Sequence, residues 1–369
     1  DESFKTSLVR SLDEKFRKKD RNLNELRELA ALVSKLLPDL DVKGSLVTRF
    51  SWYAVSIRNY NHHGRPEEAA DMVERYLATR EMVLENDREM VSNTDLAVAV
   101  HYNDQFDFAR AMDFNLRLVK DPAFPYLSLV ARGRILSSYG QSLSISGKYS
   151  EAEEMFLSAI QHFLKADLTE ESRRNEISQT AIYRCINAFD GMLDIRHSLF
   201  KGLFGSRKEL LDELQAGILP SNPYKLHLLL RIAYWHDDYR EIAHQSDLSA
   251  RDGDTHPWEL INLYRGLLVY SAENKIHDAG RYLLNAFKIT DFRYHGATMH
   301  LLGFFIYAVT KCLKQAPYDS NIVSRHAEKL KGYLPSAAGR IEELLNILSS
   351  RRDADAIKDI LRLLPFNYR

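Results

Sequence analysis

Small and apolar positions recur every three or four residues in 139-YGQSLSISGKYSEAEEMFLSAI-160: Gly140 and Leu143 before Gly147, then Ala152, Phe156 and Ala159 after it. That spacing gathers each set on one side of an α-helix. Gly147 between them takes the left-handed backbone that ends a helix, at little steric cost. The stretch therefore predicts two helices joined by a tight turn. Tyr149 covers the turn, Ala152 lets the two backbones approach, and Phe156 fills the space beside it.

The same three- and four-residue stepping runs along most of the chain. Breaks are short and fall where prolines and glycines cluster: Pro38, Gly64–Pro66, Pro122–Pro125, Gly147, Pro220–Pro223, Gly253–Pro257, Pro317 and Pro335. No alternating strand pattern accompanies them, so an all-α fold is expected. Asn22, with Glu25 three residues on, reads as a helix cap, followed by an apolar face of Leu26, Leu29, Ala30, Val33 and Leu37. The apolar run 301-LLGFFIYAV-309 is too short to span a bilayer and reads as a buried helix. Arg340 to Leu348 and Asp355 to Leu364 give two further amphipathic helices.

The order small residue, apolar residue, Gly-x-aromatic, Ala, Phe, Ala resembles the tetratricopeptide repeat. Weaker copies follow. In 57–77, Tyr60, Gly64 and Ala69 match, with Pro66 in place of the aromatic; in 97–118, Ala97, Val100, Phe106 and Ala109 match, with Asp104 for the glycine. In 267–287, Tyr270, Ala279, Leu283 and Ala286 match, with Ile276 for the aromatic; in 230–248, Tyr239 and Ile242 match loosely. The second-helix positions Ala69, Ala109, Ala152, Ile242 and Ala279 recur about every 40 residues, longer than the usual ~34, with one doubled gap. A divergent unit is therefore expected in 165–218. The resemblance implies a right-handed α-solenoid of helix-turn-helix units over 45–290, an N-terminal helical segment over 1–44 and a C-terminal helical cap over 291–369. One hairpin cannot bury both its apolar faces, whereas stacked hairpins bury each against the next and leave a concave surface.

Composition changes this picture little. The 369 residues include 50 basic and 51 acidic side chains, for a net charge of -1. That balance argues against a nucleic-acid binder or a membrane-surface protein. The basic segment from Arg10 to Arg27 is interleaved with Asp and Glu and reads as a solvated helix face. Two cysteines, Cys185 and Cys312, sit in apolar helical contexts and read as buried free thiols in a reducing, cytoplasmic setting. No signal segment opens the chain, and its first residue is Asp, from which a processed chain or a piece of a larger protein is expected.

Candidate chemistry is sparse. Gly140 and Gly147-Lys148 lack phosphate-loop spacing, and Tyr149 stands where Ser or Thr is needed. In 201-KGLFGSRKELLDEL-214 the spacing also fails, and Ser206 reads as a helix cap. His62-His63 suits a helix C-terminus, and His295 and His300 are five apart, off the one-face spacing of a zinc pair. There is no H-E-x-x-H, C-x-x-C or G-x-S-x-G. We expect no cofactor, no metal and no catalysis.

In the tetratricopeptide family the first helix of each unit lines the concave side. Carried over unit by unit, this gives Arg58, Asn61 and His62, then His101 and Tyr102, then Arg134, Ser137 and Gln141, and then His227, Arg231, Tyr234 and Trp235. Arginine grips a carboxylate at two points and aromatics offer rigid contact area. The expected function is non-catalytic recognition of a protein or peptide, one bearing a carboxylate, as the sensing or scaffolding part of a regulatory protein. The alternatives are a stand-alone peptide receptor, an enzyme with its site in 165–218, and self-association through the C-terminal helices.

Overall fold

The computed structural model describes residues 7, 28, 35, 46–62, 66–80, 88–105, 107–193, 217–218, 222–235, 257–292, 297–333 and 337–364. Several expected features lie outside them: the Asn22 cap and the helix after it, Phe106, 201–214 with Ser206, and Tyr239 and Ile242. Positions 7, 28 and 35 are helical, and no strand occurs among the described residues. The fold is all-α. The helices are α1 (Leu46–His62), α2 (Pro66–Arg80), α3 (Arg88–Asp104), α4 (Phe108–Lys120), α5 (Leu129–Ile145), α6 (Tyr149–Lys165), α7 (Glu170–Leu193), α8 (Pro223–Trp235), α9 (Trp258–Glu273), α10 (Ile276–Phe292), α11 (Ala297–Lys314), α12 (Ser320–Tyr333), α13 (Ala337–Ser350) and α14 (Ala354–Arg362). A single 3-10 turn, Phe124–Tyr126, precedes α5. The chain divides into two compact units, Asp1–Leu219 and Pro220–Arg369. The division falls inside the 45–290 stretch.

In the first unit each helix packs on the next, and the odd-numbered helices also touch one another: α1 on α3, α3 on α5, α5 on α7. This is how stacked two-helix units bury their flanks. The α5–α6 pair shows why the sequence folds this way. Gly147 has φ 76°, Lys148 N donates to Leu143 O at 2.9 Å, and Gly147 N donates to Ser144 O at 3.0 Å. That double closure satisfies carbonyls that the end of α5 would otherwise strand. A Cβ on Gly140 would lie 2.7 Å from the Phe156 ring, and one on Gly133 would lie 2.6 Å from the Phe163 ring. Two bare backbone positions two turns apart thus receive two rings two turns apart.

The fourth residue of α2, α4, α6 and α10 is an alanine in every case, and Ala69, Ala111, Ala152 and Ala279 are all fully buried. This corrects the register of the second unit. Ala109 is exposed, and Ala111 is the small contact residue. The cause is the cap: Asp107 accepts from Arg110 N and starts α4 at Phe108, so the contact position shifts with it. Pro66 opens α2, where its missing N–H costs nothing.

In the second unit, α9 and α10 form a similar hairpin. Asn274 takes the left-handed backbone with φ 52°, and Gly266 faces Ala279 O and Leu283. The run from Leu301 to Val309 is buried in α11, which packs on α10, α12, α13 and α14. A Cβ at Gly303 would meet Thr290 Oγ1 at 2.7 Å, so α11 crosses α10 closely there. The helices expected at Arg340 to Leu348 and Asp355 to Leu364 are α13 and α14. Cys185 and Cys312 are buried and in no disulfide, and burial pushes their thiols up to about 12 and about 11. No described helix is long and apolar enough to cross a membrane.

Candidate functional site

Successive odd-numbered helices of the first unit are joined by polar side chains at a nearly constant sequence separation. His101 Nδ1 of α3 lies 2.9 Å from Asn61 Oδ1 of α1, 40 residues away. Arg134 of α5 pairs with Glu176 of α7, 42 residues on. Thr180 Oγ1 donates to Ser137 Oγ at 3.1 Å across 43 residues, and Ser144 Oγ donates to Asn187 Oδ1 at 2.6 Å across another 43. Each bond links equivalent positions in adjacent units, so the period of about 40 residues is physical as well as textual.

Six of the sequence-nominated residues lie along this layer. Arg58 donates through a terminal nitrogen to Asn93 O at 3.4 Å. Its guanidinium is lowered to about 10, first by burial and then by the like charge of Arg134. Arg58 of α1 and Arg134 of α5 therefore feel each other across α3. Asn61 and His101 meet as described, and burial lowers the His101 ring to about 4. A ring neutral at physiological pH can donate from Nδ1 to the amide oxygen. Ser137 is buried against Thr180, and Gln141 Nε2 reaches back to Ser137 O at 3.5 Å.

Tyr102 turns elsewhere. Its ring stacks on Phe114 with Arg110 over it, so it packs on α4 within its own hairpin. The His62 side chain lies outside the described residues. The α8 residues sit in a helix interface. His227, Arg231 and Tyr234 are buried, and the rings of His227 and Tyr234 both lie near Tyr264 of α9. Trp235 Nε1 donates to the Tyr264 hydroxyl at 3.2 Å, while Lys358 and Arg362 of α14 lie over Tyr234 and Trp235. The α8 set joins α8 to α9 and α14.

Sequence reasoning passed over three residues on the odd-helix layer. Asp104, the last residue of α3, is half-buried, and burial raises its carboxyl to about 7. Among the described residues no hydrogen bond or ion pair reaches that carboxylate. Tyr183 of α7 has its hydroxyl pushed up by burial and then by the charge of Asp104, with the Gln179 amide acting the other way. Asn61 Nδ2 is a buried donor with no acceptor among the described residues, and the Gln179 amide, which bonds the Tyr183 hydroxyl, has donor capacity left over. The available signal was periodic: Glu176, Gln179 and Tyr183 step by three and four, as do Arg134, Ser137 and Gln141. In the sequence Asp104 reads only as a substitute for a turn glycine.

Chemically, this layer offers charge and hydrogen bonds along an extended line. Among the described residues no group of three His, Cys, Asp or Glu could hold a metal ion. No family model, curated protein or solved structure matches this chain.

Proposed function

We propose that the chain is a non-catalytic recognition module that binds a protein segment or peptide along the face shared by α1, α3, α5 and α7. In this reading the hairpins wind as a right-handed, tetratricopeptide-like superhelix, with that face as its groove. One observation carries the reading. Buried polar side chains there have hydrogen-bonding capacity left over, at Asn61 Nδ2 and Gln179 Nε2, on the same layer as the Asp104 carboxylate, which has no counter-ion among the described residues. A folded chain seldom leaves such groups unmet unless something else meets them. An extended backbone, with a carbonyl and an N–H at every residue, is suited to do so.

A carboxylate of the bound segment is assigned to Arg58, which also donates to Asn93 O; Arg134 pairs with Glu176, and Arg231 is buried in the α8 interface. Arrays of capped nine-residue peptides of random sequence provide the test. The wild-type chain is expected to retain a subset, and Arg58→Ala combined with Gln141→Ala to lose it while its circular dichroism is unchanged. Equal retention by wild type and variant would defeat the proposal.

A second reading, an enzyme drawing on the divergent middle, would turn on Tyr183, the perturbed titrating group there. Burial drives its hydroxyl upward, away from the range in which a group exchanges protons readily at neutral pH. The recognition reading therefore ranks first.

A further inference from the structure

Resting on that reading, we propose that Asp104 anchors a cationic side chain, lysine or arginine, of the bound peptide, whose extended backbone crosses from Asn61 on α1 to Gln179 on α7. Three observations converge. Asp104 is half-buried at the end of α3 with no positive partner among the described residues. An enclosed carboxylate without a counter-ion is costly, and a ligand cation would relieve that cost. Val100, one turn earlier on the same side of α3, is 41% exposed, an apolar surface suited to the methylene stem of a lysine or arginine. Lastly, Asn61 pairs with His101, one turn before Asp104 on α3, and Gln179 lies one turn before Tyr183, which feels the Asp104 charge; both amides can donate to a peptide carbonyl.

The charge pattern fixes the choice of occupant. Positive groups on this layer are either engaged, as Arg134 is with Glu176, or opposed by a like charge, as Arg58 is by Arg134. The carboxylate is the group left over. Burial governs its ionisation, and among the described residues no cation occupies the place.

The test uses capped nine-residue peptides in mixed frames with Lys, Arg, Gln or Glu at the centre, presented to the full chain at pH 8. Lys- and Arg-centred frames should be retained about tenfold over Gln-centred ones, the scale of one charge-assisted hydrogen bond. Asp104→Asn should bring that preference to about one, whereas Asp113→Asn, on the exposed side of α4, should keep it. Retention that ignores the central residue would overturn the Asp104 assignment and leave the recognition reading standing. A preference for Glu-centred frames that disappears in Arg58→Ala would overturn it in the same way. Retention of no peptide would remove both. Thermal unfolding of Asp104→Asn, followed by circular dichroism, confirms that a lost preference is not lost folding.

Discussion

His101 and Asn61 stand 40 residues apart and meet at 2.9 Å, joining the first two odd-numbered helices of the stack. Burial keeps the ring neutral, at about 4, and in that state Nδ1 can donate to the amide oxygen. Because the folded value lies below the unfolded one, the unfolded chain binds the extra proton. Stability from this group is present above about pH 6.5 and is lost as pH falls towards 4. His101→Gln is expected to unfold more easily than wild type at pH 7. The gap in Tm should shrink as pH drops from 6.5 to 4. A gap that stays constant across that window would show that the ring does not titrate as described.

Asp104 acts in the opposite sense. Its folded value, about 7, lies above that of an unfolded aspartate, so the folded chain binds the extra proton between about pH 4 and 7. The group costs stability increasingly as pH rises through that window. Asp104→Asn is expected to raise Tm at pH 8, by about 2–4 °C per kcal/mol recovered. At pH 4 it should have no effect. Calorimetry at the two pH values decides, and a variant less stable than wild type at pH 8 would contradict the placement of Asp104.

Asp95 is the hub of the first hairpin stack. Tyr76 donates to its Oδ1 at 2.7 Å, and Arg80 grips both oxygens through Nε and a terminal nitrogen, the latter at 2.7 Å. The carboxylate is 2% exposed. Removing it takes the carboxylate from a partly buried guanidinium and from a buried hydroxyl that keeps Val91 O at 3.2 Å. Asp95→Ala should cost about 3–5 kcal/mol, read as a lower midpoint in urea. A change under about 1 kcal/mol would show the cluster to be worth no more than a surface pair.

Gly140→Ala tests the close approach of α5 and α6. The added methyl would sit 2.7 Å from a ring that is itself fully buried, so Phe156 or the helix must move. A loss of about 1–3 kcal/mol is expected. Gly147→Ala should be destabilising for a different reason. Nothing lies within 4 Å, but φ 76° strains any residue with a Cβ. Phe156→Leu in the Gly140→Ala background should recover part of the first loss and none of the second.

The elements were legible because helix period, glycine stops and proline starts are local. Gly147 and Pro66 could be placed from neighbours alone, and the 301–309 run announced a buried helix by being apolar throughout. The register of α4 was not legible. Ala109 and Ala111 are equally small, and only the Asp107 cap decided which of them meets the adjoining helix.

The candidate site divides in the same way. The tetratricopeptide resemblance nominated Arg58, Asn61, His101, Arg134, Ser137 and Gln141, which lie on α1, α3 and α5. It could not turn Tyr102 towards Phe114 or bury Arg231, because those outcomes depend on what faces each residue across a helix interface. Nor could it reveal Asp104, whose ionisation is set by atoms brought close only in the folded chain. Sequence alone determined the helices and their period, since both arise within a few residues along the backbone. Tertiary structure decided which polar groups are enclosed and which are left unmatched, since desolvation and charge act through space.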